Sequence, residues 1–149
     1  MSDAPMRAYV DGLPVPEFES TPFVTPPPLA HSRVAIVTTA AIHAAQDAAF
    51  EAADTGFRVL ERAERDLRMG HWSPNFDRAG FAADLNVVYP IDRLEELANS
   101  GAIGSVGPRH IAFAGNQDDS VTRVRLDSGP AAAKLLRDDG VDVVLLTPV

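Results

Sequence analysis

Three short apolar runs leave this chain few folds to choose from. The first, Arg33-Val34-Ala35-Ile36-Val37-Thr38-Thr39, is continuous and rich in β-branched residues. A run of that length and type reads as a buried strand, central and parallel in its sheet. Ile111 to Gly115 and Val141 to Leu146 are the second and third. Helical patterns separate them. Ile91, Leu94, Leu97 and Ala98 recur at helical spacing, with Asp92, Arg93, Glu95 and Glu96 on the other side. A second helix is expected near 129–139, with Ala132, Leu135 and Leu136 as its apolar side. The order strand, variable segment, helix, strand, helix, strand predicts an α/β fold: an open, mostly parallel sheet with flanking helices.

The boundaries follow from local chemistry. Pro90 ends one element or opens the next helix, and Asn99-Ser100-Gly101 stops that helix. Asp127 or Ser128 caps the second helix and Gly140 terminates it, while Asp138 and Asp139 oppose its dipole unless a partner compensates. Phe57 to Leu60 reads as a further short strand. Residues 44–55 contain six alanines and have high helix propensity, yet Phe50 is their only large apolar side chain, so helix and loop both stay open. Glu61 to Met69 is a charged helical turn or loop. Gly101, Gly104 and Gly107 resemble a phosphate loop only superficially, lacking the lysine and serine it needs, and read as a turn between helix and strand. Residues 1–30 form a proline-rich arm with seven of the chain's 12 prolines in its first 28 residues, expected to be irregular. Phe18, Phe23 and Val24 are apolar anchors by which the arm would wrap its own domain or a partner. Residues 31–149 are the α/β domain.

Composition excludes several function classes. With 21 acidic against 13 basic residues the net charge is -8, which argues against nucleic acid and acidic membranes as partners. There is no cysteine, and so no disulfide, thiol chemistry or thiolate metal site within these residues. The N-terminus lacks the apolar core of a signal peptide, and no run reaches transmembrane length. A soluble cytoplasmic protein with a small-molecule ligand is expected. No metal site is expected, because the spacing of Asp77, Asp84 and Asp92 fixes no coordination geometry.

The polar candidates fall into two groups. Thr38 and Thr39 end the first strand, and ligands of open α/β sheets bind at that edge. His43 lies just beyond, either a hydrogen-bonded loop histidine or an acid/base group. The stretch His71 to Leu94, HWSPNFDRAGFAADLNVVYPIDRL, mixes charged, amide and large apolar side chains as a ligand-facing turn or a packed polar corner does. Arg109 offers a bidentate contact to a carboxylate, worth roughly 1.5–3 kcal/mol at a desolvated site, or an ion pair with a nearby Asp. His110 adds a polar group beside it.

The segments VAIVTTAAIH, NFDRAGFAADLNVVYPIDRLEELANSGAIGSVGPRH and LLRDDGVDVVLLTPV resemble the selenoprotein B component of glycine, sarcosine and betaine reductases and its D-proline reductase relative, over roughly residues 20–149. The resemblance implies reductive cleavage of a carbon–nitrogen bond in an amino acid or N-methylated amino acid. It also implies a complex with a pyruvoyl-containing subunit and, for the glycine-reductase types, selenoprotein and acetyl-transferring components. It puts His43, Asn75, Asp77, Arg78, Asp84, Asn86, Arg109 and His110 near the cleft. Arg78 or Arg109 would hold a substrate carboxylate, and His43 or His110 would move protons. In the family pattern a redox selenocysteine or cysteine follows the turn that here reads Thr147-Pro148-Val149. That residue is then expected from a missing segment or a complementary chain. A stop codon to be read as selenocysteine, a split protein and a degenerate, purely ligand-binding or assembly module are the three alternatives, with a homo-oligomer also open.

Overall fold

The computed structural model describes residues 4–12, 17, 19–20, 23–72, 78–115, 117 and 121–149. Asn75, Asp77 and Phe18 lie outside these. The fold is α/β, built on a curled and mostly parallel sheet. Its centre is β1 (Arg33–Thr38), the first apolar run. β7 (Val143–Thr147) pairs with it in parallel along five positions, from Val34↔Val143 to Thr38↔Thr147. That fills one edge of β1, so its other partners lie on the opposite edge. They are β5 (Ser105–Val106), parallel at Arg33 and Val34, and β6 (Arg109–Phe113), parallel at Val37 and Thr38. β3 (Phe57–Glu61) closes the far side, antiparallel to β6.

Two parallel crossovers explain the layers. From β1 to β5 the chain passes through α3 (Ile91–Asn99), and from β6 to β7 through α4 (Gly129–Asp138). The two steps run in opposite directions from the centre, and parallel crossovers are right-handed, so the helices cover opposite faces. Ile91 and Leu94 of α3 join one core with Val34, Ile36 and Tyr89. Ala132 and Leu136 of α4 join the other with Ala35, Ile111 and Phe113. Both helices end at a left-handed glycine, Gly101 (φ 76°) and Gly140 (φ 69°), a conformation in which glycine carries no Cβ penalty.

Two expectations change, for the arm and for the last strand, and the open reading of residues 44–55 closes. The arm is not irregular throughout: Ala4–Asp11 forms α1, and Leu29–His31 a 3-10 turn. Proline clusters leave Met6 to Leu13 uninterrupted, and Pro5 falls in the first turn, where its missing N–H has no helical partner to lose. Phe23 and Val24 are exposed. Residues 44–55 are not helical: β2 (Ile42–Ala44) pairs antiparallel with β4 (Leu67–Met69), and turns follow. Tertiary contacts override alanine propensity here. Phe50 is buried beneath the Arg58 guanidinium, 4.3 Å from the ring centre, while Arg58 donates to the Ala48 and Ala49 carbonyls. The last strand is exposed rather than buried, with Leu146 68 % accessible. Between these elements lie the short helix α2 (Arg78–Ala83) and a 3-10 turn, Leu85–Val87.

Candidate active site at the carboxyl edge of the sheet

β1 ends in a sharp reversal. Thr38 Oγ1 accepts from the Ala40 N–H at 3.2 Å, and Ala41 takes a left-handed φ of 52°. Such a backbone costs an alanine of order 1–2 kcal/mol. It is held by two bonds: Ala41 N–H donates to the Phe113 carbonyl at 3.0 Å, and Gly70 N–H donates to the Ala41 carbonyl at 2.8 Å. The reversal keeps Thr39 at the carboxyl edge. Thr39 N–H reaches the Thr147 carbonyl, and its Oγ1 accepts the Val149 N–H at 2.8 Å. Thr147 Oγ1 donates to the Val88 carbonyl at 3.0 Å, tying the edge to the segment before α3.

His71 closes this corner. It is buried, and it lies against Gly115 so closely that a Cβ at 115 would fall 2.7 Å from its Nε2 and 2.8 Å from the Thr39 carbonyl oxygen. Arg78 Nη2 donates to the His71 carbonyl at 2.8 Å. Burial, helped by the Arg78 charge, holds the His71 pKa below the ordinary imidazole value, partly offset by the Val149 backbone. The ring is therefore neutral at neutral pH. Next to it the Trp72 indole N–H donates to the Phe50 carbonyl at 2.8 Å. His43, on β2, is buried with its ring edge towards Phe50. Its Nδ1 donates to the Ala44 carbonyl at 2.9 Å, which leaves Nε2 with the lone pair in the neutral ring.

The other sequence candidates lie elsewhere. Asp84 caps the 3-10 turn, accepting from the Asn86 backbone N–H at 2.9 Å. Asn86 bridges the Asp84 and Asp92 carboxylates through Nδ2 and accepts the Asp92 N–H, so it joins that turn to α3. The Asn86 bonds hold the Asp84 carboxyl below its usual range. Arg109 stands at the amino edge, at the start of β6. Its Nε donates to Asp139 at 2.8 Å and its Nη2 to the second carboxylate oxygen. Arg33 also donates to the Asp139 carbonyl, which supplies the compensation the C-terminus of α4 needs. His110 is fully buried in the sheet. Its Nδ1 accepts the Ile36 N–H at 2.9 Å, and its ring stands edge-on to Tyr89. The structure thus gathers Thr38, Thr39, Arg78 and, across Phe50, His43 at one edge, and leaves Asp84, Asn86, Arg109 and His110 outside it.

The sequence reading misses His71, Gly115 and Thr147 as parts of this corner. His71 opens the polar stretch, but only the topology shows that 39, 71, 115 and 147 converge. Among the described residues no group of three or more His, Asp or Glu is placed to hold a metal ion.

The family model for glycine/sarcosine/betaine reductase selenoprotein B matches residues 5–149. The chain belongs to that family. The D-proline reductase subunit gamma of Acetoanaerobium sticklandii is 34 % identical over 135 residues, covering 83 % of this chain and 54 % of the relative. The chain spans about half the length of that curated relative. No solved structure matches it. The family is one of reductase subunits, and the relative is by its name one subunit of several. No helix among the described residues is long and apolar enough to cross a membrane.

Proposed function

We propose that this chain is a component of a reductase that cleaves a carbon–nitrogen bond in a small amino acid or N-methylated amino acid. The redox thiol or selenol comes from polypeptide outside these 149 residues, which hold no cysteine. The cleft is the carboxyl edge of the sheet. The observation that carries this reading is the convergence of Thr39, His71 and Arg78 at that edge in a chain of this family. The reaction balances as follows. A reduced dithiol or selenol–thiol pair gives up two electrons and two protons and becomes a disulfide or selenenyl sulfide. The C–N bond breaks with its electron pair going to nitrogen, which takes one proton and becomes the amine, while carbon takes up the two electrons from the thiol or selenol pair and the other proton.

Arg78 is tied to this edge through the His71 carbonyl and has donors enough for both that carbonyl and a substrate carboxylate. His71, a neutral ring, and His43 would move protons. Arg109, whose Nε and Nη2 serve Asp139, and His110, whose Nδ1 serves Ile36, act by holding the sheet. The test is steady-state kinetics of the complete native complex with glycine, sarcosine, betaine and D-proline. With the preferred substrate Arg78→Ala raises KM at least tenfold and changes kcat less. An unchanged KM removes Arg78 from the substrate site.

A second reading is a non-catalytic ligand-binding or assembly module. It is favoured by the intrachain bonds that occupy Asp84, Asn86, Arg109 and His110. Ligand binding without turnover in the complete complex, or a stable homo-oligomer with no second chain, selects it.

A further inference from the structure

Trp72 is exposed yet fixed in place. It is 54 % accessible, while its Nε1–H donates to the Phe50 carbonyl at 2.8 Å. That bond satisfies the one polar atom of the indole and sets the ring's orientation, so what remains open to a ligand is its π surface. Trp72 also follows His71 directly in the chain. The peptide whose carbonyl accepts from Arg78 Nη2 at 2.8 Å therefore has the Trp72 nitrogen as its other end. Phe50, which accepts from the indole, in turn meets the His43 ring edge-on, 6.5 Å between centroids. The indole is thus tied to the guanidinium assigned to the substrate carboxylate and to one of the histidines assigned to proton movement.

Aromatic faces attract cations, tryptophan's most strongly. Arg58 already covers the Phe50 ring, 4.3 Å from its centre, whereas no guanidinium or ammonium of the described residues stacks on Trp72. A quaternary ammonium has no N–H, so carbonyl and carboxylate oxygens cannot accept a hydrogen bond from it, and an aromatic face is the group that recognises it. A primary ammonium has three donors and calls for such oxygens. The described side chains that build this corner, Thr39, His71, Arg78 and Thr147, include no carboxylate.

We propose that the open face of Trp72 receives the methylated ammonium of the substrate while Arg78 holds its carboxylate. The preferred substrate class is then a small quaternary ammonium carboxylate rather than a primary amino acid. Trp72 is the residue that sets this preference, because its π surface answers to positive charge on carbon-covered nitrogen and not to N–H donors. This rests on the reductase reading for the place of the cleft, while the ammonium site is read by binding, without turnover.

The experiment is calorimetric titration of the complete native complex with betaine and with tert-butylacetate, which has the same shape and carboxylate but carbon in place of the charged nitrogen. Betaine should bind about tenfold more tightly. Trp72→Leu should abolish that difference, and Trp72→Phe, which keeps an aromatic face, should retain part of it. Equal affinities for the two compounds in the native complex, no binding of betaine, or a preference that survives Trp72→Leu overturns the proposal. Betaine binding that depends on Trp72 but leads to no cleavage would count against the reaction and leave the ammonium site standing. Cleavage of a primary amino acid, with betaine binding indifferent to Trp72, would overturn the ammonium site and leave the reaction standing.

Discussion

The Ile36 backbone N–H donates to His110 Nδ1 at 2.9 Å, so a side chain fills a gap in a β-ladder. The gap lies where Gly107-Pro108 separates β5 from β6, and the Pro108 carbonyl there accepts the Arg62 N–H at 2.8 Å. Gly107 still donates to the Val34 carbonyl at 2.8 Å, but Ile36 has no strand carbonyl opposite it. A buried N–H must find an acceptor, and the imidazole is that acceptor. The role requires a neutral ring with its proton on Nε2.

His110→Ala should therefore cost more than an ordinary deletion. It strands the Ile36 N–H at about 1–3 kcal/mol and leaves a cavity against Tyr89. His110→Asn keeps an acceptor near Nδ1 and should recover part of the loss. Urea denaturation of the three proteins checks the order native, Asn, Ala. Equal stability of the Ala and Asn variants removes the bond from the explanation.

Acid should weaken the fold through the same ring. Burial, with help from the Arg62 and Arg65 charges, pushes the His110 pKa down from 6.5 to about 4. The unfolded chain binds this proton first, so stability falls as pH drops below 6.5 and levels near 4. The span corresponds to roughly 3 kcal/mol. His71, also shifted down, adds loss in the same direction. Unfolding free energies measured from pH 8 to 4 should slope in the native protein and flatten in His110→Asn. A slope unchanged in that variant assigns the acid sensitivity elsewhere.

At the amino edge, Asp139→Asn should lower the melting temperature. The Arg109 bonds hold the Asp139 carboxyl below its usual range, so its contribution is present above pH 3.8 and is lost as pH falls through the lowered folded value. Thermal melts at pH 7 and pH 3 check this: the difference between native and variant should shrink at the lower pH. Turnover of the complete complex should change little, since Arg109 stands at the opposite end of the sheet from Thr39.

Gly115→Ala should damage the carboxyl edge itself. The new Cβ would meet two backbone oxygens, of Thr39 at 2.8 Å and Val149 at 3.0 Å, besides the His71 ring. Backbone cannot swing aside as a side chain does, so overpacking of about 1–3 kcal/mol is expected. Melting temperature and substrate affinity should fall together, and an unchanged affinity would detach Gly115 from the site.

What the sequence reveals follows the range of the interactions. β1, β6, α3 and α4 are legible because each carries its own apolar period and its own stop, such as Gly101 and Gly140. The turns at 45–56 are not, because Arg58 and Phe50 decide them from a distance against local alanine propensity. His110 is a catalytic candidate by the family resemblance, whereas its partner, Ile36, is a backbone group no side-chain pattern exposes. Arg109 and Asp139 lie 30 residues apart, and only the sheet brings them together. The carboxyl-edge corner is half legible: Thr38 and Thr39 follow from the strand's end, but His71 and Gly115 need the topology.

Turnover assays on the purified 149-residue chain and on the complete native complex, side by side with a dithiol reductant and each candidate substrate, test the reductase-component reading most directly. The chain alone should form no cleaved product, and the complex should form it, as a free amine or as the ring-opened amino acid from D-proline, at a rate that falls with Arg78→Ala. Cleavage by the isolated chain, or a complex inert towards glycine, sarcosine, betaine and D-proline, would contradict it.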